Sequence, residues 1–185
     1  TGQIGQVLIR ILRGFGCRVL AFDLYPNDEM AALDGVTYTD LATVIRQSDI
    51  LSLQVPLNED TRYLINHERI QQMKPGVMLI NTSRGGLIDT KAVVAGLKSG
   101  QIGSLGIDVY EEEDGLFFED HSDKDMLQDD TIARLMTFKN VLITSHQGFL
   151  TETALQNIAD TTIANLTAFA KGTQNDNEMD LSRTN

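Results

Sequence analysis

Five nearly continuous apolar runs of strand length recur along this chain, separated by helix-like stretches: RVLAFD (18–23), ILSLQVP (50–56), VMLINTS (77–83), LGIDVY (105–110) and VLITS (141–145). A strand that reads apolar at nearly every position is buried on both faces, as in a parallel sheet covered by helices. Between the runs, LATVIRQ (41–47), NHERIQQM (66–73) and DTKAVVAGLKSG (89–100) repeat apolar residues every three to four positions, which is the helical period. Asn66 and Asp89 are expected N-caps, and Gly100 is an expected helix stop. The alternation predicts an α/β fold with a doubly wound, mostly parallel sheet, and no internal repeat competes with that reading.

Two segments break the rhythm. EEEDGLFFEDHSDKDMLQDD (111–130) is acidic and aperiodic, and is expected to be a long surface loop with short helical pieces. TETALQNIADTTIANLTAFAKG (151–172) reads as one amphipathic helix with Leu155, Ile158, Thr162, Leu166 and Phe169 along one face. It is longer than the earlier helices, so it is expected to reach beyond the sheet domain and pack on something else. The expected organisation is a sheet domain over 1–150, this helix over 151–172, and a frayed tail over 173–185.

Composition narrows the partners. With 42% hydrophobic and 22% charged residues the chain reads as soluble and globular rather than disordered. A formal charge of −11 disfavours nucleic acid and anionic membranes, both of which select a basic surface. No apolar run approaches the roughly 18 residues of a membrane span. Cys17 is the only cysteine, so no internal disulfide can form and a reducing cytoplasm is the expected compartment. One cysteine and three histidines offer no dense ligand cluster, so no metal site is expected.

The opening TGQIG carries Gly2 and Gly5 at the spacing of the last two glycines of G-x-G-x-x-G, the first of which would fall one residue before Thr1. In that turn one glycine lets the backbone approach a pyrophosphate and the next lets helix and strand pack closely, while the helix N-terminus offers free N–H groups to the anion. Asp23 follows roughly 20 residues on, at the end of a β-like run, where a carboxylate accepts hydrogen bonds from both ribose hydroxyls and repels a 2′-phosphate. The cofactor expected is NAD rather than NADP. The competing reading is a plain turn and a solvated strand end.

Three later runs end in chemistry. In an open α/β sheet ligands sit beyond the carboxyl ends of the strands. INTSRGG places Arg84 there, and a guanidinium can hold a carboxylate through two parallel hydrogen bonds. GIDVYEEE places Asp108 and an acidic cluster there, and ITSHQGF places His146, the side chain suited to proton transfer near neutral pH. A partner carboxylate would orient that ring and favour its charged form. Taken singly, each residue is as well explained by structure; three on one edge favour a site. His67 and His121 lie in polar surroundings and read as solvated.

Together these stretches resemble the D-2-hydroxyacid dehydrogenases. The resemblance runs from Thr1 to about Gly172 through TGQIG, VLAFD, LQVPL, MKPGVMLINTSRGGLID, GIDVYEEE, FFED and SHQGFLT, the last two pointing to the D-lactate branch. It implies that Arg84 anchors the substrate carboxylate, that His146 protonates the 2-oxo oxygen, and that Glu113 pairs with His146. It implies cofactor contacts from Gly2, Gln3, Ile4, Gly5, Asp23, Val55, Pro56, Thr82, Ser83 and Asp108. The implied reaction is NADH-dependent reduction of pyruvate to D-lactate, by a protein that is a homo-oligomer when complete. Gln54 departs from the His expected at its position in much of the D-lactate branch.

The resemblance also implies an N-terminal substrate domain and a first, central strand, both absent before Thr1, with the helix over 151–172 returning to that domain. A central strand buries several large side chains worth about 1.5–3 kcal/mol each, so these residues are not expected to fold natively alone. The alternatives are another 2-hydroxyacid reductase acting on glyoxylate or hydroxypyruvate, an NAD-sensing scaffold, or an inactive fragment.

Overall fold

Strands and helices alternate through the computed structural model, which describes residues 1–117, 129–175, 177 and 178. The helices are α1 Gln3–Gly14, α2 Asp28–Ala31, α3 Leu41–Gln47, α4 His67–Gln72, α5 Thr90–Ser99, α6 Asp130–Met136 and α7 Glu152–Lys171. The strands are β1 Val19–Ala21, β2 Val36–Tyr38, β3 Ile50–Leu53, β4 Val77–Asn81, β5 Ile102–Ile107 and β6 Val141–Ile143. The chain divides into two compact units, Thr1–His146 and Gln147–Asn185.

All strand pairs in the first unit are parallel, as the apolar runs predict. They form two ladders, β1–β2 and β3–β4–β5–β6. Strands β1 and β3 do not pair with each other among the described residues. Register aligns one apolar row across the larger ladder: Leu51 opposite Leu79, Leu79 opposite Leu105, and Leu105 opposite Val141. Around that row Ile65, Leu79, Leu87, Val93, Ile102 and Leu135 are all fully buried. Leu79→Ala should therefore cost about 2–5 kcal/mol, because a closely packed sheet cannot collapse onto the cavity. Urea unfolding of the complete protein checks this, and an unchanged midpoint would count against Leu79 as the centre of the core.

The caps match their sequence signals. Asn66 and Asp89 accept backbone N–H bonds from Arg69 and Ala92, and Gly100 closes α5 in the left-handed conformation at φ 78°. Several elements do not match. Strand β2 and helix α2 are too short to show a period. Strand β5 begins three residues before its apolar run, at Ile102, because Gly103 and Gly106 interrupt the apolar pattern. Strand β6 is expected to be buried on both faces, yet Leu142 is 66% exposed. It pairs only with β5 among the described residues, so it is an edge with one face uncovered.

In the acidic stretch, the described residues contain a single 3-10 turn, Glu113–Gly115, and then α6; the FFED residues 118–120 and His121 lie outside the described residues. In the second unit α7 is capped by Thr151 and stopped by Gly172. Its apolar face stands in the open, from Leu155 at 44% to Phe169 at 87% exposed. The start of the tail is tied rather than frayed: Asn175 and Asn177 both donate side-chain bonds to Asn165 Oδ1, at 2.9 and 3.0 Å. Residues 176 and 179–185 lie outside the described residues.

Candidate active site at the carboxyl ends of the strands

The turn after β4 is built on a buried amide. Asn81 is fully buried; its Oδ1 accepts the Ser83 N–H at 3.1 Å and its Nδ2 donates to the Arg84 carbonyl at 2.8 Å. Its own carbonyl accepts the Asp108 N–H, which joins the ends of β4 and β5. Ser83 Oγ donates to the Leu53 carbonyl at 2.8 Å, joining β4 to β3. The turn is therefore rigid while Thr82 and Arg84 are exposed at its surface. Arg84 donates to the Ser83 carbonyl at 2.7 Å, and among the described residues no carboxylate pairs with it.

Gly85 makes this packing possible. A Cβ there would stand 2.1 Å from the carbonyl carbon and oxygen of Tyr110 and 2.5 Å from the Glu111 nitrogen. These are backbone atoms that cannot step aside, so only glycine lets the Arg84 turn lie on the Tyr110–Glu111 peptide.

His146 arrives from β6. Its N–H bonds to the Asp108 carbonyl, and Thr144 Oγ1 donates to the Asp108 carboxylate, so Asp108 fixes the end of β6. Ser145 and His146 both sit at positive φ, 53° and 54°. Left-handed backbone at two successive non-glycine residues costs about 1–3 kcal/mol each and persists only where surrounding contacts enforce it, commonly at functional sites.

His146 Nδ1 stands 2.9 Å from Glu113 Oε1, and Glu113 Oε2 accepts the Tyr110 N–H at 2.9 Å. A carboxylate only accepts, so Nδ1 carries the proton of that bond. The three acids of YEEE thus separate cleanly. Glu113 faces the histidine and Glu112 is exposed, while Glu111 accepts from Tyr63 Oη at 2.8 Å and from the Thr90 N–H at 2.9 Å. The hydrogen bond from Tyr63 Oη to Glu111 holds the Tyr63 phenol above its ordinary value. Tyr110 is buried, and burial together with its bond to Asp129 at 2.7 Å keeps it a neutral donor well above the ordinary phenol range.

The other end of the edge is the start of α1. Its N-cap, Gly2, has no side chain, so the first N–H groups of the helix are left without a side-chain acceptor. Apart from its chain neighbours, no atom of the described residues comes within 4 Å of where a Gly2 Cβ would stand, and Gln3 and Ile4 are exposed beside it. Gly5 is buried, but a Cβ there would lie 3.8 Å from Gln54 Cβ, an ordinary contact. The tight packing expected to demand glycine at position 5 is thus not made among the described residues.

Asp23, just past β1, accepts from Thr1 Oγ1 at 2.9 Å and from the Tyr25 N–H at 2.9 Å. An ionised carboxylate here, a bare helix N-terminus and an open approach at Gly2 fit the adenosine ribose and pyrophosphate of a dinucleotide.

After β3, Gln54 Nε2 donates to Ser52 Oγ at 3.1 Å and to Thr82 Oγ1 at 3.4 Å, while Val55 is half-buried and Pro56 exposed. His67 is exposed and bonds along its own helix, to Gln71 at 2.8 Å. Sequence reasoning passed over Asn81, Tyr63, Thr144 and Glu111. An amide ending an apolar run was the one available signal, and it marks Asn81.

Residues 1–148 match the model of the D-isomer specific 2-hydroxyacid dehydrogenase NAD-binding domain. The chain is 52% identical over 180 residues to a D-lactate dehydrogenase of Escherichia coli K12, covering 97% of this chain and 54% of that protein. A structure of the pyruvate reductase of Chlamydomonas reinhardtii superposes with a TM-score of 0.91 at 49% identity, over 96% of this chain and 54% of that one. The Aquifex aeolicus D-lactate dehydrogenase complexed with NAD and lactic acid superposes with a TM-score of 0.85 at 34% identity, over 93% and 52%. The chain spans about half the length of the relatives it matches. It belongs to the D-isomer specific 2-hydroxyacid dehydrogenases and carries their Rossmann-type NAD-binding domain.

Proposed function

We propose that the complete protein is an NAD-dependent dehydrogenase that reduces pyruvate reversibly to D-lactate, and that this chain contributes its cofactor half and its proton donor. The observation that carries the proposal is the 2.9 Å contact of His146 Nδ1 with Glu113, on the same strand edge as the guanidinium of Arg84, which pairs with no carboxylate among the described residues. In this reading Arg84 holds the substrate carboxylate and polarises the carbonyl. Bound NADH supplies the hydride that reaches C2 of the oxo acid. With Nδ1 held by Glu113, the proton His146 gives to the developing alkoxide is that of Nε2, and Glu113 holds the ring in the orientation for that transfer. In the reverse direction the same imidazole takes the proton back.

On the cofactor side Gly2, Gln3, Ile4 and Gly5 would receive the pyrophosphate, and Asp23 the ribose. Val55, Pro56, Thr82, Ser83 and Asp108 would line the path to the nicotinamide. Residues 1–150 would form the NAD-binding domain, with 151–172 returning to a substrate domain; the open apolar face of α7 supports that. We place the protein in the cytoplasm, as a homo-oligomer. No helix among the described residues is long and apolar enough to cross a membrane.

A second reading, reduction of glyoxylate or hydroxypyruvate, is favoured by relatives named only 2-hydroxyacid dehydrogenase, such as one from Aspergillus oryzae at 48% identity. Turnover of the complete protein with NADH and each of the three oxo acids decides between them. Highest kcat/KM on pyruvate supports the first reading; preference for either other acid replaces it with the second.

Asp23→Ala tests the cofactor assignment. Loss of a charge-assisted bond to ribose, about 1.5–3 kcal/mol, should weaken NADH binding about 10- to 100-fold and relax discrimination against NADPH. An unchanged ratio of the two dissociation constants would remove Asp23 from the ribose site.

A further inference from the structure

Glu111 takes no part in the proton transfer just described, yet its carboxylate is fully engaged. One oxygen accepts Tyr63 Oη at 2.8 Å and the other accepts the Thr90 N–H at 2.9 Å. These bonds tie three segments: the connection from β3 to α4, the first turn of α5, and the loop that carries Glu113. Asp89 caps α5 through the Ala92 N–H at 3.1 Å, and Glu111 takes the separate N–H of Thr90.

Tyr63 itself is at φ 50° and is laced to the segment after Arg84: its N–H donates to the Gly86 carbonyl at 2.9 Å and the Ile65 N–H to the Leu87 carbonyl at 2.9 Å. Directly beneath lies Gly85, whose backbone rests on the Tyr110–Glu111 peptide. Two residues on, Glu113 reaches His146. The place of Glu111 therefore sets how far the Arg84 turn stands from the Glu113–His146 pair.

We propose that Glu111 is a positioning residue: through Tyr63 and the Thr90 N–H it clamps the Arg84 turn and the Glu113 loop at one separation, so that carboxylate anchor and proton donor meet the same substrate. The proposal rests on the dehydrogenase reading above. Displacement of a reacting group by about 1 Å can cost on the order of 100-fold in rate, so a clamp of this kind acts on kcat.

The test uses the complete protein with pyruvate and NADH. Glu111→Ala should lower kcat about 10- to 100-fold while NADH affinity stays at the wild-type value. Glu111→Gln keeps an acceptor for Thr90 and a donor for Tyr63 Oη, so it should restore most of kcat; a residue that merely stabilised the fold would move the melting temperature and leave kcat unchanged. A folded Glu111→Ala with wild-type kcat, or Glu111→Gln as impaired as Glu111→Ala, overturns the clamp. Where Glu111→Ala does not fold, Tyr63→Phe carries the test: a fall in kcat supports the clamp and an unchanged kcat overturns it. Wild type active with unaffected variants defeats the clamp alone, whereas a wild type that reduces no 2-oxo acid overturns both the clamp and the dehydrogenase reading.

Discussion

His146→Ala in the complete protein is expected to lower pyruvate reduction by at least about 10²-fold while NADH still binds, since general acid catalysis contributes about 10²–10⁴ in rate. The ring is held 2.9 Å from Glu113 after β6, whereas Asp23 follows β1 and the start of α1 precedes it. Turnover and cofactor affinity should therefore separate. Because His146 sits at φ 54°, alanine carries a backbone cost of its own. Asparagine tolerates that conformation better, so His146→Asn should fall equally far with a smaller loss of stability. Steady-state rates beside NADH fluorescence titration give both readouts, and unchanged turnover in either variant would take His146 out of the mechanism.

Arg84→Ala is expected to cost a similar factor, read in kcat/KM. Two charge-assisted bonds to the substrate carboxylate, each about 1.5–3 kcal/mol, correspond to about 10²- to 10⁴-fold in kcat/KM. The turn should survive the change, because it is held by Asn81, Ser83 and Gly85 rather than by the guanidinium. Arg84→Lys keeps the charge but loses the fork, so it should recover only part of the loss. Measured kcat/KM for pyruvate decides the matter; a change smaller than tenfold in Arg84→Ala would assign the carboxylate to another residue.

Fold and site were legible to different depths. Arg84, Asp108 and His146 could be placed on one edge from sequence because parallel strands all deliver their carboxyl ends to the same side. Glu113 could be chosen over its neighbours only through family resemblance. Spacing cannot separate three consecutive acids, whereas the 3-10 turn that begins at Glu113 turns that carboxylate toward His146 and leaves Glu111 facing Tyr63. The demand for glycine at position 85 was also hidden. It arises from the backbone of Tyr110, twenty-five positions away in sequence.

The amino-acid sequence by itself determined the parallel α/β class, the helix caps at Asn66 and Asp89, and the stop at Gly100. Apolar period, capping oxygens and left-handed glycine act over a few neighbouring residues. Tertiary structure alone decided which acid meets the histidine, that Ser145 and His146 adopt positive φ, that Leu142 is left on an open edge, and that Glu111 joins three segments. Those outcomes depend on contacts between residues far apart in the chain, whose distances are set only when the strands register and the turns pack against one another.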